Sequence, residues 1–351
     1  MEEIMKRFAQ KVAAVTMTAM MTMSLAACGS TADTTTTEDT SATEETAATG
    51  EASAATDGKT YTIGICQLVQ HEALDAATEG FKAALTDKFG DSVTFDEQNA
   101  AEDSAQCTTI CTGFASEGVD LILANATPSL QAAASATSDI PILGTAITEY
   151  GVALSIDGFN GTVGGNISGT SDLAPLDQQA DMVTELVPDA KNVGILYCSA
   201  EPNSVYQADT VKAALEEKGL TVNVYTFSDS NDVSSVTQSA CGENDVLYIP
   251  TDNTAASCTE AINNVALPAG VPIIAGEEGI CKGCGIATLS IDYYELGYKT
   301  GEMAAQILSG DSDISQMPVE YYDNPVKEYN ADLCSQLGIT VPDDYVAIAA
   351  E

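Results

Sequence analysis

Asn192-Val-Gly-Ile-Leu-Tyr197, Cys198-Ser-Ala-Glu-Pro-Asn-Ser204 and Leu220-Thr-Val-Asn-Val-Tyr-Thr-Phe227 frame one unit, with a helix-period segment running to Gly219 between the second and third stretches. An apolar run ends in small polar residues and Pro, a segment of period 3.6 follows, and a β-branched run closes it, which is the pattern of a β-loop-α-β unit. An earlier stretch repeats the plan: Thr62-Ile-Gly-Ile-Cys66, Gln67-Leu-Val-Gln-His71, a helical run containing Lys82-Ala-Ala-Leu85, then Ser92-Val-Thr-Phe95. Gly64 and Gly194 stand at the same spacing before the Leu of a Lys-Ala-Ala-Leu segment, at Leu85 and Leu215. Ile140-Pro-Ile-Leu143 returns as Val271-Pro-Ile-Ile274 at nearly the same offset. Two echoes in register predict two similar α/β lobes.

Working outward, the first lobe is expected to hold strands near 62–66, 93–95, 120–123, 140–143 and 153–156, with helices near 74–89, 104–117 and 129–137. Four glycines between Gly161 and Gly169 mark a first crossing between lobes. The second lobe alternates helices near 174–186, 202–218, 233–240 and 254–267 with strands near 193–197, 221–227, 246–249 and 272–275. A strand and second crossing follow near 286–291, then an amphipathic helix near 293–308, a short strand near 319–322 and a helix near 331–337. Alternation of this kind builds doubly wound lobes around parallel sheets.

The chain begins with Lys6, Arg7 and Lys11, continues apolar or hydroxylic from Val12 to Ala27, and reaches Leu25-Ala-Ala-Cys28. A charged start, an apolar run too short to span a bilayer and small residues at its end describe an export signal over residues 1–28. Cys28 directly after Leu-Ala-Ala resembles the lipidated cysteine of bacterial lipoproteins; the alternative is an ordinary cleaved signal with an incidental cysteine. Residues 29–58, rich in Thr, Ala, Ser and Glu, bury too little to offset their ordering entropy and read as a tether to the outer face of the membrane. The formal charge is −40. Arg7 is the only arginine, so the mature chain has none, which argues against nucleic-acid binding and removes the usual bidentate clamp for phosphate or carboxylate.

Ligands of parallel α/β sheets sit beyond the carboxyl ends of the strands. That rule selects the loops Gln67–His71, Asn125-Ala-Thr127 and Gly144-Thr-Ala146 in one lobe. In the other it selects Ser199–Ser204, Thr251-Asp-Asn253 and Gly276-Glu-Glu278. Ser199, Asn203 and Ser204, at a helix start, can take a carboxylate without arginine. Glu201, Asp252, Glu277 and Glu278 can take an ammonium group. A zwitterion satisfies both, so an amino acid is the expected ligand. Each of these residues also has a plainer reading, Asn203, Asp252 and Asn253 as helix caps and Glu278 as a solvated side chain. His71, the only histidine, reads as a cleft-rim hydrogen-bonding group or a cap, since no nucleophile or paired carboxylates accompany it. No cofactor and no metal are expected. Of the nine cysteines after Cys28, Cys66, Cys107, Cys111 and Cys198 suit a core, while Cys281 and Cys284 can form a local disulfide or one half of a metal knuckle.

Gly64-Ile-Cys-Gln-Leu-Val-Gln-His-Glu-Ala-Leu-Asp75 with Glu79-Gly-Phe81, Asn125-Ala-Thr-Pro128, Gly165 to Asp172, Ser199 to Ser204, Thr251-Asp-Asn253, Asp292-Tyr-Tyr-Glu-Leu-Gly297 and Asn330 to Ile339 together resemble the substrate-binding lipoproteins of ABC importers, in the tryptophan/tyrosine-binding group. The resemblance covers nearly the whole mature chain. It implies a type I periplasmic-binding-protein fold: 59–165 with 292–318 as one lobe, 166–291 with 319–351 as the other, and three crossings. It also implies an aromatic or hydrophobic amino acid as ligand, and a membrane permease and ATPase as partners. By the same resemblance Ser199, Glu201, Asn203, Ser204, Asp252 and Asn253 gain weight as contacts, with Thr127, Thr145 and Glu277. Gln67, His71 and Asn125 join them by position, and Tyr150, Phe159 and Tyr197 become possible stacking partners. Ile156-Asp-Gly158 and Val163 depart from the family pattern near the first crossing. The mechanism expected is capture between closing lobes rather than chemistry. A ligand-sensing receptor component of the same fold is the alternative.

Overall fold

Runs apolar on both faces are stable only in sheets covered on both sides, and such runs form the strands here. Leu121, Ile122, Leu123 and Ala124 are all fully buried. The structure is a computed structural model describing residues 59–322 and 324–349, so the export signal, Cys28 and the tether lie outside the described residues.

The first lobe runs β1 (Tyr61–Gln67), α1 (Glu72–Phe89), β2 (Val93–Asn99), α2 (Ser104–Glu117), β3 (Leu121–Asn125), α3 (Thr127–Ala136), β4 (Ile142–Ile147), α4 (Tyr150–Leu154) and β5 (Ile167–Ser171). The second runs α5 (Leu176–Leu186), β6 (Asn192–Cys198), α6 (Pro202–Glu217), β7 (Thr221–Phe227), α7 (Val233–Glu243), β8 (Val246–Ile249), α8 (Asn253–Ser257), α9 (Thr259–Ala269), β9 (Ile273–Ala275), α10 (Glu278–Cys284) and β10 (Ala287–Ser290). The chain then returns to the first lobe through α11 (Tyr293–Ser309) and β11 (Glu320–Tyr321). It ends in the second with β12 (Val326–Tyr329), α12 (Ala331–Leu337) and β13 (Val346–Ala347).

The sheet orders are β11-β5-β4-β3-β1-β2 and β13-β12-β10-β9-β8-β6-β7. Neighbouring strands are parallel except for β12 against β10. Five strands of each sheet thus follow one plan, and the paired glycines of the sequence repeat have a physical cause. A Cβ on Gly64 would stand 2.6 Å from the Phe114 ring, and one on Gly194 would stand 2.6 Å from Leu247.

Three expectations are corrected. Residues 153–156 are not a strand: Glu149 accepts a hydrogen bond from the Val152 N–H and starts α4 instead. The glycine-rich stretch is not wholly a crossing, because Gly169 lies inside β5, where a Cβ would meet the Gly144 carbonyl oxygen at 2.1 Å. Its glycine serves close approach of two strands rather than a turn. With β5 and β11 paired in the first sheet, the boundaries drawn at 165 and 318 move to the far ends of these strands. The chain then crosses after β5, between β10 and α11, and after β11.

The returning helix α11 lies against α1 with backbones in contact. A Cβ on Gly297 would stand 1.9 Å from the Ala77 carbonyl oxygen, and one on Gly80 would stand 2.0 Å from that of Tyr294.

Candidate functional site

The ends of β4, β5, β6 and β8 and the first turns of α1, α6, α8 and α11 converge between the lobes. The narrow space they leave, about 10 Å³ and so room for about one water, is lined by His71, Ala73, Leu74, Ala146, Thr148, Asp172, Asn203, Thr251, Asn253 and Tyr293. Four contacts bridge the lobes around it. His71 Nε2 lies 3.2 Å from Asn253 Oδ1, Gln207 donates to the Thr148 hydroxyl at 3.2 Å, Ser257 donates to Glu102 at 2.5 Å, and Lys282 pairs with Glu72. Lys282 also pairs with Glu278 at 2.9 Å.

Polar accounting separates structural groups from available ones. Asp172 follows β5 and is 4% exposed; its Oδ2 accepts from the Tyr293 hydroxyl at 3.1 Å, while its Oδ1 has no partner. Asn203, 5% exposed, donates from Nδ2 to Glu201, Ser204 and the Thr251 carbonyl, and its Oδ1 has no partner. Two buried acceptor atoms without a hydrogen-bond partner, Asp172 Oδ1 and Asn203 Oδ1, thus belong to lining residues of one cavity, although the Thr148 hydroxyl also acts on the Asp172 carboxylate. Orphans of this kind are uncommon and ask for an explanation. Burial pushes the Asp172 carboxyl up to about 6, against the opposing pull of the Tyr293 and Thr148 hydroxyls.

The cavity also meets the start of α1. His71 is extended and makes no side-chain cap, so the first-turn N–H groups of α1, on the wall formed by Ala73 and Leu74, are open to an anion. Burial holds the His71 imidazole below its ordinary value, favouring the neutral ring. Ala126 and Ala146, at the ends of β3 and β4, have φ of 86° and 52°. Such left-handed alanines are costly and concentrate at binding sites.

Of the residues expected from sequence, His71, Asn203 and Asn253 reach this cavity. The others are engaged elsewhere. Gln67 bonds Val69, Asp75 and Thr78, and Asn125 donates to the Leu74 carbonyl and Thr78 while its own buried Oδ1, outside this cavity's lining, has no partner. Thr145 is in a buried hydroxyl cluster with Thr170 and Thr300, and Thr127 is buried in the first turn of α3. Ser199 is exposed and donates to the Phe227 carbonyl. Ser204 is buried and accepts from Asn203.

The carboxylates expected to meet an ammonium group also have partners within the chain. Asp252 accepts from the Ala255 and Cys198 N–H groups, capping α8 and tying down the end of β6. Glu201 accepts from Asn203 and from the backbone and side chains of Asn253 and Thr254. Burial, with Glu201 beside it, pushes Asp252 upward. Glu277 caps α10 through the Gly279 and Ile280 N–H groups, and burial pushes it up to about 7. The rings named from sequence also lie in cores: the Tyr150 hydroxyl donates to the Gly144 and Thr170 carbonyls with Phe159 stacked on its ring, and Tyr197 packs inside the second lobe.

Asp172, Tyr293 and Thr148 went unpredicted. The strand-end rule points to Asp172 once β5 is placed, but the glycines around it masked that strand. The nine described cysteines are free thiols, and Cys281 and Cys284 both sit on α10, bonded to main-chain carbonyls.

Residues 62–351 match the family model of the ABC transporter substrate-binding proteins. A tyrosine-binding protein of Clostridioides difficile is 40% identical over 289 residues, spanning 80% of this chain and 82% of that one. An ABC domain from Streptococcus pneumonia in complex with L-Trp superposes with a TM-score of 0.77 at 31% identity, covering 81% of this chain and 97% of the other. The ligand-free, open structure of a substrate-binding protein with adhesive properties from Clostridium difficile gives 0.63 at 38% identity, covering 83% and 100%.

Proposed function

This chain belongs to the ABC transporter substrate-binding protein family, and from that premise we propose that its cleft captures an L-aromatic amino acid for an importer. The observation that carries the reading is a pair of buried acceptors without hydrogen-bond partners, Asp172 Oδ1 and Asn203 Oδ1, on residues that line one cavity from opposite lobes. An α-ammonium group brings three donors and a positive charge to that place. The α-carboxylate then meets the open first turn of α1 beside His71, so the zwitterion needs no arginine. Because the two acceptors come from different lobes, only the closed form satisfies the ligand, and binding selects closure. The better superposition on the L-Trp complex than on the more identical open protein supports a closed arrangement here. The names of the relatives support an aromatic side chain.

Capture hands the amino acid to a permease driven by an ATPase, outside the cytoplasm. Leu25-Ala-Ala-Cys28 supports a lipid anchor at Cys28, with residues 29–58 as tether. The protein contains no tryptophan, so bound L-tryptophan supplies the only indole emission. Titration is expected to give a saturable blue shift with a rise in melting temperature. A flat titration, with no melting shift for any of the twenty amino acids, refutes the reading.

A further inference from the structure

We propose that the ligand's side chain occupies an adjoining slot, and that Glu277 there selects aromatic rings bearing a hydrogen-bond donor, an indole N–H or a phenol O–H, over a plain phenyl ring. The inference rests on the aromatic amino-acid reading above. Ala73 and Tyr293 line both the central cavity and this second space, so one amino acid can extend from one into the other. The slot, about 140 Å³, is lined by Ala73 and Ala76 of α1 and by Tyr293 and Tyr294 of α11. Ala73 and Ala76 stand three residues apart on one face of α1 and present only methyl groups, so a flat ring can lie against the helix.

The end of the slot is acidic, but its carboxylates are not equivalent. Glu72 and Glu278 at the mouth are both answered by Lys282, and Asp292 is exposed and caps α11. Glu277 is 2% exposed and has no cation among its described partners. Each of its oxygens takes one N–H of α10, which leaves each a further acceptor site. A donor on the ring reaches such a site and satisfies it. A phenyl ring instead covers the carboxylate with carbon, and sites built around a polar partner reject analogues that lack it.

Calorimetry on the purified protein tests this with L-tryptophan, L-tyrosine, L-phenylalanine and O-methyl-L-tyrosine, using the native chain and Glu277→Ser. Serine keeps an oxygen to cap α10 while withdrawing the carboxylate from the slot. The native protein is expected to bind L-tryptophan and L-tyrosine about tenfold or more tighter than the two ligands without a ring donor. In Glu277→Ser that gap should close to within about threefold, through weaker binding of L-tryptophan and L-tyrosine and tighter binding of L-phenylalanine. Equal affinity for all four in the native protein, or a gap that survives Glu277→Ser, overturns the role of Glu277 and leaves aromatic capture intact. Failure of all four to bind overturns both.

Discussion

The substitution Asp172→Asn isolates one charge while keeping the shape of the side chain. In the empty protein the Asp172 carboxylate is buried with one oxygen unpaired, and its pKa is raised from the ordinary 3.8 to about 6. Holding it charged therefore costs the empty fold about 3 kcal/mol compared with a solvated aspartate. The sign is that of a group whose proton is bound more tightly in the folded state. Its penalty is fully present above about pH 6, shrinks as the pH falls and is gone below the ordinary value. The new amide removes the penalty, so the empty variant should melt several degrees higher at pH 7.5. Binding should move the other way. Loss of the charged partner of a buried ammonium is worth about 3 kcal/mol, which weakens L-tryptophan about a hundredfold. Because the ammonium requires the charged carboxylate, native affinity should also fall as the pH drops through about 6, and this slope should flatten in the variant. Indole emission titrations from pH 5 to 8 and melting of the empty protein measure both effects. An affinity within about threefold of native, or a less stable empty variant, would refute the assignment of Asp172.

Other outcomes follow from the same accounting. Asp252→Ala strips two N–H groups of their acceptor and should lower stability by about 1–3 kcal/mol in urea unfolding, leaving the pH slope of binding in place. Gly297→Ala sets a methyl against the Ala77 carbonyl and should lower the melting temperature sharply, unlike Gly113→Ala in α2, where the added methyl meets nothing. Lys282→Met removes an ion pair that spans the lobes; ligand affinity should fall modestly, and the salt dependence of the native protein should diminish when titrated in rising NaCl.

The doubled lobe was legible because its signals are local: apolar runs, turn residues and a glycine wherever a bulky neighbour packs onto a strand. Where local signals mislead, glycine is the reason. Gly169 has the composition of a loop and the job of a strand, and misplacing β5 hid Asp172 behind it. The polar strand β12 and the short α10 carry too little periodicity to stand out. Choosing between a cap and a ligand contact is harder still, because it depends on partners far along the chain. Glu201 looks available until Asn253 and Thr254, from another loop, are found to use its oxygens. Asn203 differs only in keeping one oxygen spare, a distinction that no sequence motif records.

The backbone contact between α1 and α11 has an implication for the order of events. Ala73 and Ala76 ride on one of these helices and Tyr293 and Tyr294 begin the other, and Gly80 and Gly297 rivet the two together within a single lobe. Separation of the lobes therefore carries Glu277 and Asn203 away but leaves those walls standing. On the proposed reading, an arriving side chain meets a half-built berth, and inspection comes only afterwards, when the opposite lobe swings its polar groups into place.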